Sequence, residues 1–85
     1  MKKKVILGVQ LIRGKVDPVR VQEVLVRYGS HIKTRLGLHE VESSTSRALG
    51  LLLVETCGDL SQIKQMEASL QEIPGVMVKK MVFPA

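Results

Sequence analysis

Residues 4–29 read KVILGVQLIRGKVDPVRVQEVLVRYG, and the fold follows from this segment. From Lys4 to Ile12, Val5, Leu7, Val9 and Leu11 alternate with Ile6, Gly8, Gln10 and Ile12. Alternation is the signature of a strand, and a strand that is apolar on both faces belongs inside a sheet. Arg13-Gly14-Lys15-Val16 ends it as a turn. Asp17-Pro18 then sets a capping carboxylate before a proline at the first helical position, where the missing N–H has no intrahelical partner to lose. Val21, Val24, Leu25 and Tyr28 recur at i, i+3, i+4 and i+7, Glu23 and Arg27 make an i,i+4 pair on another face, and Gly29 terminates the helix. The segment is a central strand followed by an amphipathic helix over about Pro18–Tyr28.

Beyond it the same plan repeats. Ile32, Thr34, Leu36 and Leu38 alternate with His31, Lys33, Arg35 and Gly37, the pattern of a half-buried strand. Glu40 to Ser46 is a polar connection, and Arg47 to Glu55 is a third strand with Leu49, Leu51 and Leu53 on one side and Ala48, Leu52 and Val54 on the other. Asp59-Leu60-Ser61-Gln62 caps a second helix, with Gln62 placed to complete a capping box. Ile63, Met66, Leu70 and Ile73 form its apolar stripe until Pro74-Gly75 stops it, and Val76 to Phe83 is the last strand. The order is β-α-β-β-α-β, a ferredoxin-like α+β sandwich: a four-stranded antiparallel sheet, order 4-1-3-2, with two helices on one face. That order makes strands two and four the edges, and Lys33, Arg35, Lys79 and Lys80 fall on them, where charge discourages sheet-to-sheet aggregation.

Eighty-five residues, 45% hydrophobic and 25% charged, suit one globular domain over residues 1–85 and do not suit a disordered chain. The longest apolar runs fall far short of the ~20 residues of a membrane-spanning helix. Gln10 and Arg13 interrupt the apolar stretch after Lys2-Lys3-Lys4, which therefore reads as a strand with a basic lead-in and not as a signal peptide. Cys57 is the only cysteine, so neither an internal disulfide nor a Cys-x-x-Cys pair is available, and a reducing, cytoplasmic setting without a membrane partner is the expectation. The net charge of +5 is spread singly and in twos among acids beyond Lys2 to Lys4, as on an ordinary solvated surface.

The pattern of hydrophobic strand, glycine-containing turn, capped helix and closing Ile73-Pro74-Gly75-Val76 resembles the ACT-like domains. More specifically Tyr28-Gly29, Ile32, Arg35-Leu36-Gly37-Leu38, Gly75-Val76 and Val78-Lys79-Lys80, with the total length, resemble the small iron-only hydrogenase system regulators, and the likeness covers nearly the whole chain. The resemblance implies a regulatory role and a fold similar to the ligand-binding domain of the nickel-responsive repressor. Two departures from that repressor are expected: a domain without a DNA-binding segment before it, and a site without the closely spaced histidines that hold nickel.

Candidate chemistry is sparse. His31, His39 and Cys57 are the residues that could ligate a borderline metal, with Glu40 and Glu42 beside His39, although their spacing matches no zinc or iron motif. Cys57, Ser30 and Ser61 are not linked by any motif to His31 or His39 as a base, Gly8 and Gly14 make no phosphate loop, and Gln10 to Val16 lacks the acylphosphatase signature; the reading is non-catalytic and identifies no cofactor. RNA-recognition modules of this topology stack bases on sheet aromatics. Here Tyr28 falls on a helix and Phe83 near the chain end, which makes nucleic acid the lesser rival.

ACT-like domains commonly hold effectors beside the turn after the first strand, and Gly14 is the matching residue. The expected effector site is therefore Arg13, Gly14 and Lys15 with Arg35 and Gly37 of the facing strand, the cations holding an anionic group. Two helices cover one face of a four-stranded sheet, so the aliphatic residues of the other face call for a partner, most simply a second copy in a dimer or tetramer. The expected function is regulation of an iron-only hydrogenase system through a small effector or metal at that interface. The alternatives are a ligand-free protein-interaction or assembly subunit, with a protein partner in hydrogenase regulation, and a nucleic-acid-binding domain.

Overall fold

The structure, a computed structural model, describes residues 3–12, 14–38 and 48–84. Strands β1 (Lys3–Ile12), β2 (Ile32–Leu38), β3 (Ala48–Thr56) and β4 (Val76–Pro84) form one antiparallel sheet in the order β2-β3-β1-β4, with helices α1 (Pro18–Arg27) and α2 (Leu60–Gln71) in the two crossovers. This is the ferredoxin-like arrangement, and the two most apolar strands are central.

Both helices begin where a carboxylate replaces a missing intrahelical partner. Asp17 Oδ1 accepts from the Val19 amide at 3.0 Å ahead of Pro18, and Asp59 Oδ1 accepts from the Ser61 amide at 2.9 Å. The reciprocal half of a capping box is absent among the described residues: Gln62 bonds Asp59 through its own backbone amide, and the cap rests on the aspartate alone. α1 closes one residue earlier than its apolar stripe, because Tyr28 caps it and Gly29–His31 form a single 3-10 turn that redirects the chain into β2.

The stripes read from the sequence meet over one face of the sheet. Val21, Val24, Leu25 and Tyr28 from α1 and Ile63, Met66, Leu70 and Ile73 from α2 are buried against Val5, Leu7, Val9, Val54 and Val78. Each fully buried aliphatic side chain contributes about 1.5–3 kcal/mol. Thr56 is the buried polar member of this face, and its hydroxyl donates to the Val5 carbonyl at 2.6 Å.

One strand departs from its expected pattern. In β2, Ile32 stands opposite Thr56 and Thr34 opposite Glu55, so two β2 steps match one β3 step and Lys33 is the extra residue of a bulge. The bulge reverses the parity of the residues after it. Ile32 packs against the core, while Leu36, opposite Leu53, faces away from the helices and is 53% exposed. Arg35 and Gly37 lie opposite Val54 and Leu52 on the helix side.

At one end of the sheet the β1–α1 and α2–β4 turns are locked together. The Ile12 amide donates to the Gly75 carbonyl at 2.8 Å, and Gly75 has φ +80°, a conformation open to glycine. No helix among the described residues is long and apolar enough to cross a membrane.

Candidate functional site

The sheet face without helices is a lattice that the register specifies. Its central row runs Lys79, Gly8, Leu53 and Leu36 across β4, β1, β3 and β2. Met77, Gln10 and Leu51 form the row on one side, and Met81, Ile6, Glu55 and Thr34 the row on the other. Met77, Met81 and Phe83 are each about half exposed, and with Leu36 and the aliphatic centre they make one apolar surface. The aliphatic residues expected on an uncovered face are there.

In the middle of it Gly8 supplies no side chain. The result is a hollow of ≈ 350 Å³ walled by Leu51, Leu53, Met77 and Met81 and bordered by Gln10, Lys79 and Lys80, with a lining that is almost wholly apolar. Toward the chain ends, Lys4 and Glu55 form an ion pair. The hydrogen bond from Lys4 first, and one from Thr34 next, holds the Glu55 carboxyl below its usual range. Lys79 has no ion-pair partner among the described residues, whereas Lys80, on the helix side, reaches Glu67 of α2 at 3.4 Å.

The residues expected to bind an effector are spread out. Arg13 lies outside the described residues. Gly14, with φ +80°, and Lys15 sit in the turn beside Gly75. Arg35 stands opposite Val54, itself opposite Leu7, five residues or roughly 16 Å short of the end of β1. Its guanidinium is directed to Gln22 Oε1 of α1 at 3.4 Å. Gly37 is exposed on the same edge strand. The structure does not bring Arg35 and Gly37 to the Gly14-Lys15 turn, because β3 intervenes and the bulge sends Arg35 toward α1.

Of the metal candidates, His31 and Cys57 are neighbours. The Cys57 amide donates to the His31 carbonyl at 2.9 Å, and His31 Nδ1 lies 3.2 Å from the Cys57 carbonyl. A carbonyl only accepts, so Nδ1 is the donor in this contact. The thiol is turned to the Ser30 carbonyl at 3.7 Å. Gly58 fits under the imidazole, since a Cβ there would lie 2.9 Å from Nδ1. His39, Glu40 and Glu42 lie outside the described residues, and Leu38 before them is at the far end of β2, roughly 20 Å from His31 at ~3.3 Å per residue. Among the described residues no group of three or more His, Cys, Asp and Glu side chains is placed to hold a metal.

No protein-family model matches the sequence, and no curated protein matches it. Solved structures do. The uncharacterized protein TM1266 from Thermotoga maritima superposes with a TM-score of 0.80 over 98% of this chain and 100% of its own, at 20% identity. CPII from Thiomonas intermedia K12, solved with ADP, AMP and acetate, superposes with a TM-score of 0.53 over 100% of this chain and 94% of its own, at 11% identity. At such identities the likeness shows a shared fold.

The Gly8 hollow is the part of the surface that sequence reading missed. Its signal was present: a glycine in the middle of an otherwise aliphatic central strand marks a place where a ligand or another backbone comes close.

Proposed function

We propose that the chain is a non-catalytic regulatory module, one domain over residues 1–85, that associates with copies of itself through the helix-free face and carries a small effector at that interface. Following its resemblance to the iron-only hydrogenase system regulators, the system it serves is an iron-only hydrogenase. The observation that carries the reading is the apolar lattice from Leu36 across Leu53 and Gly8 to Met77 and Met81, neighbours on one uncovered sheet face and not apolar residues scattered singly. A second copy is the partner of matching chemistry, since one apolar sheet face packs on another at about 10 Å. CPII supports the small-effector part, being a chain of this fold solved with ADP, AMP and acetate bound.

Light scattering at micromolar concentration tests the association, and a thermal-shift screen of amino acids, nucleotides and divalent metals tests the sensing. A dimer or tetramer whose midpoint rises with one ligand class is the expected outcome, because a ligand that binds only the folded state must stabilise it. A monomer without any shift would sink the reading. An oligomer that responds to no ligand would make the chain an assembly subunit instead.

A further inference from the structure

We propose that the groove between α2 and the β1–β4 pair is a binding site for a small phosphate monoester, with the apolar body of the ester on Val5, Val82 and Ile63 and the phosphate among the lysines around them. The groove lies on the helix side of the sheet and is built within one chain. The proposal therefore goes beyond the self-association above and stands without it.

Register brings floor and charges together. Val5 and Val82 are partners on the helix side of β1 and β4. Along the strands Lys3 stands two residues to one side of this pair and Lys80 two residues to the other, each roughly 7 Å away. Over them, Leu60, Ile63, Lys64 and Glu67 recur at i, i+3, i+4 and i+7, which is one side of α2. Strands and helix enclose ≈ 270 Å³, and the lining mixes apolar with polar surface.

Val82 is the anomaly that points to an occupant. Leu36, Met77, Met81 and Phe83 are exposed on the helix-free face, whereas Val82 lies on the helix side, in line with the buried Val78, and is still 46% exposed. An aliphatic side chain there gains by being covered, and α2 leaves it open.

The charges select the ligand. Lys80 Nζ donates to Glu67 Oε1 at 3.4 Å, which accounts for one cation, and Lys3 and Lys64 have no ion-pair partner among the described residues. Three lysines and one glutamate border the groove, an excess of two positive charges. A phosphate monoester carries about −1.5 to −2 at neutral pH and matches that excess, while a monocarboxylate leaves one lysine uncompensated. Lysine meets phosphate as a point charge and does not need the planar fork of arginine. The volume is a little under the ~300 Å³ at which ligand pockets begin, so the body is a single ring or a short alkyl chain and not a nucleoside.

Phenyl phosphate is the probe, titrated into the native chain by calorimetry and followed by amide chemical shifts. It should bind with a Kd of about 1 mM or tighter and perturb Val5, Lys64 and Val82. Inorganic phosphate, which lacks the ring, and benzyl alcohol, which lacks the charge, should each bind several-fold more weakly. Lys3→Gln and Lys64→Gln are exposed changes that leave the core untouched, and each should weaken phenyl phosphate roughly tenfold, the loss of a charged hydrogen bond. Arg27→Gln removes the same charge from α1 and should leave the affinity as it is. Val82→Glu sets a negative charge on the floor and should abolish binding while keeping the folded circular-dichroism spectrum. Native affinity in both lysine variants, an equal loss in Arg27→Gln, equal affinity for inorganic phosphate, or no binding at millimolar phenyl phosphate overturns the proposal.

Discussion

Gly75 and Val16 touch backbone to backbone: a Cβ on Gly75 would lie 2.6 Å from the Val16 amide nitrogen and 2.8 Å from the Lys15 carbonyl carbon. The neighbours are main chain and cannot swing aside, and φ at Gly75 is +80°. Gly75→Ala should therefore cost about 2–3 kcal/mol or more, combining left-handed strain with displacement of the β1–α1 turn. For a chain of this length that lowers the thermal midpoint by several degrees per kcal/mol, roughly 4–8 °C each. Calorimetry showing a native midpoint for Gly75→Ala would mean the two turns are not locked.

Thr56 is the second place where one atom matters. Thr56→Val keeps the shape and removes the donor to the Val5 carbonyl, so a loss of about 1 kcal/mol is expected, with Thr56→Ser retaining more of the bond. Urea denaturation of the three proteins measures it. Equal stability of the native and valine forms would show that the bond contributes nothing net.

Acid should act through Glu55 and Asp59. Glu55 is held low by Lys4 and then Thr34, and Asp59 by the Ser61 amide and then its hydroxyl. A carboxylate whose folded value is depressed stabilises fully above its unfolded value, near pH 4, and the contribution is lost as pH falls through the lower folded value. Midpoints should thus decline below about pH 4, and Glu55→Gln and Asp59→Asn should each flatten that decline. Asp59 is exposed and Glu55 is partly so, and the effect is therefore small and should shrink further in high salt. A decline as steep in the double variant as in the native protein would place the acid sensitivity elsewhere.

Leu36→Glu and Met81→Glu put like charges on the helix-free face without touching the core, at positions about half exposed. Folding stability should change by no more than about 0.5 kcal/mol, as for surface substitutions generally, while light scattering should report the monomer mass. Oligomers of native size in both variants would move the interface to another surface.

Most of the fold is legible in the sequence because its determinants are local: Asp17 and Asp59 as caps, Pro74-Gly75 as a stop, and two stripes that are all buried. The sheet order follows from which strands are apolar on both faces. The site is less legible. Alternation reports that a strand has two faces but not which residue a bulge will add, so Lys33 gives no warning that Arg35 turns toward α1, and the expectation of Arg35 near the Gly14 turn rests on the resemblance to ACT-like domains. Gly8 signals a close approach but not its shape, since a hollow depends on what the two neighbouring strands bring beside it, and that is a property of register.

The bulge at Lys33 has a genetic consequence. Ile32 and Leu36 are both aliphatic, one helical turn's count apart in the same short strand, and any hydrophobicity scale would rank their polar replacements alike. Ile32 supports the chain's own interior, so damage there lowers how much protein a cell retains. Leu36 faces outward, so damage there leaves abundance alone and changes only what the protein meets. Two lesions of one chemical kind, in one element, would present as different phenotypes.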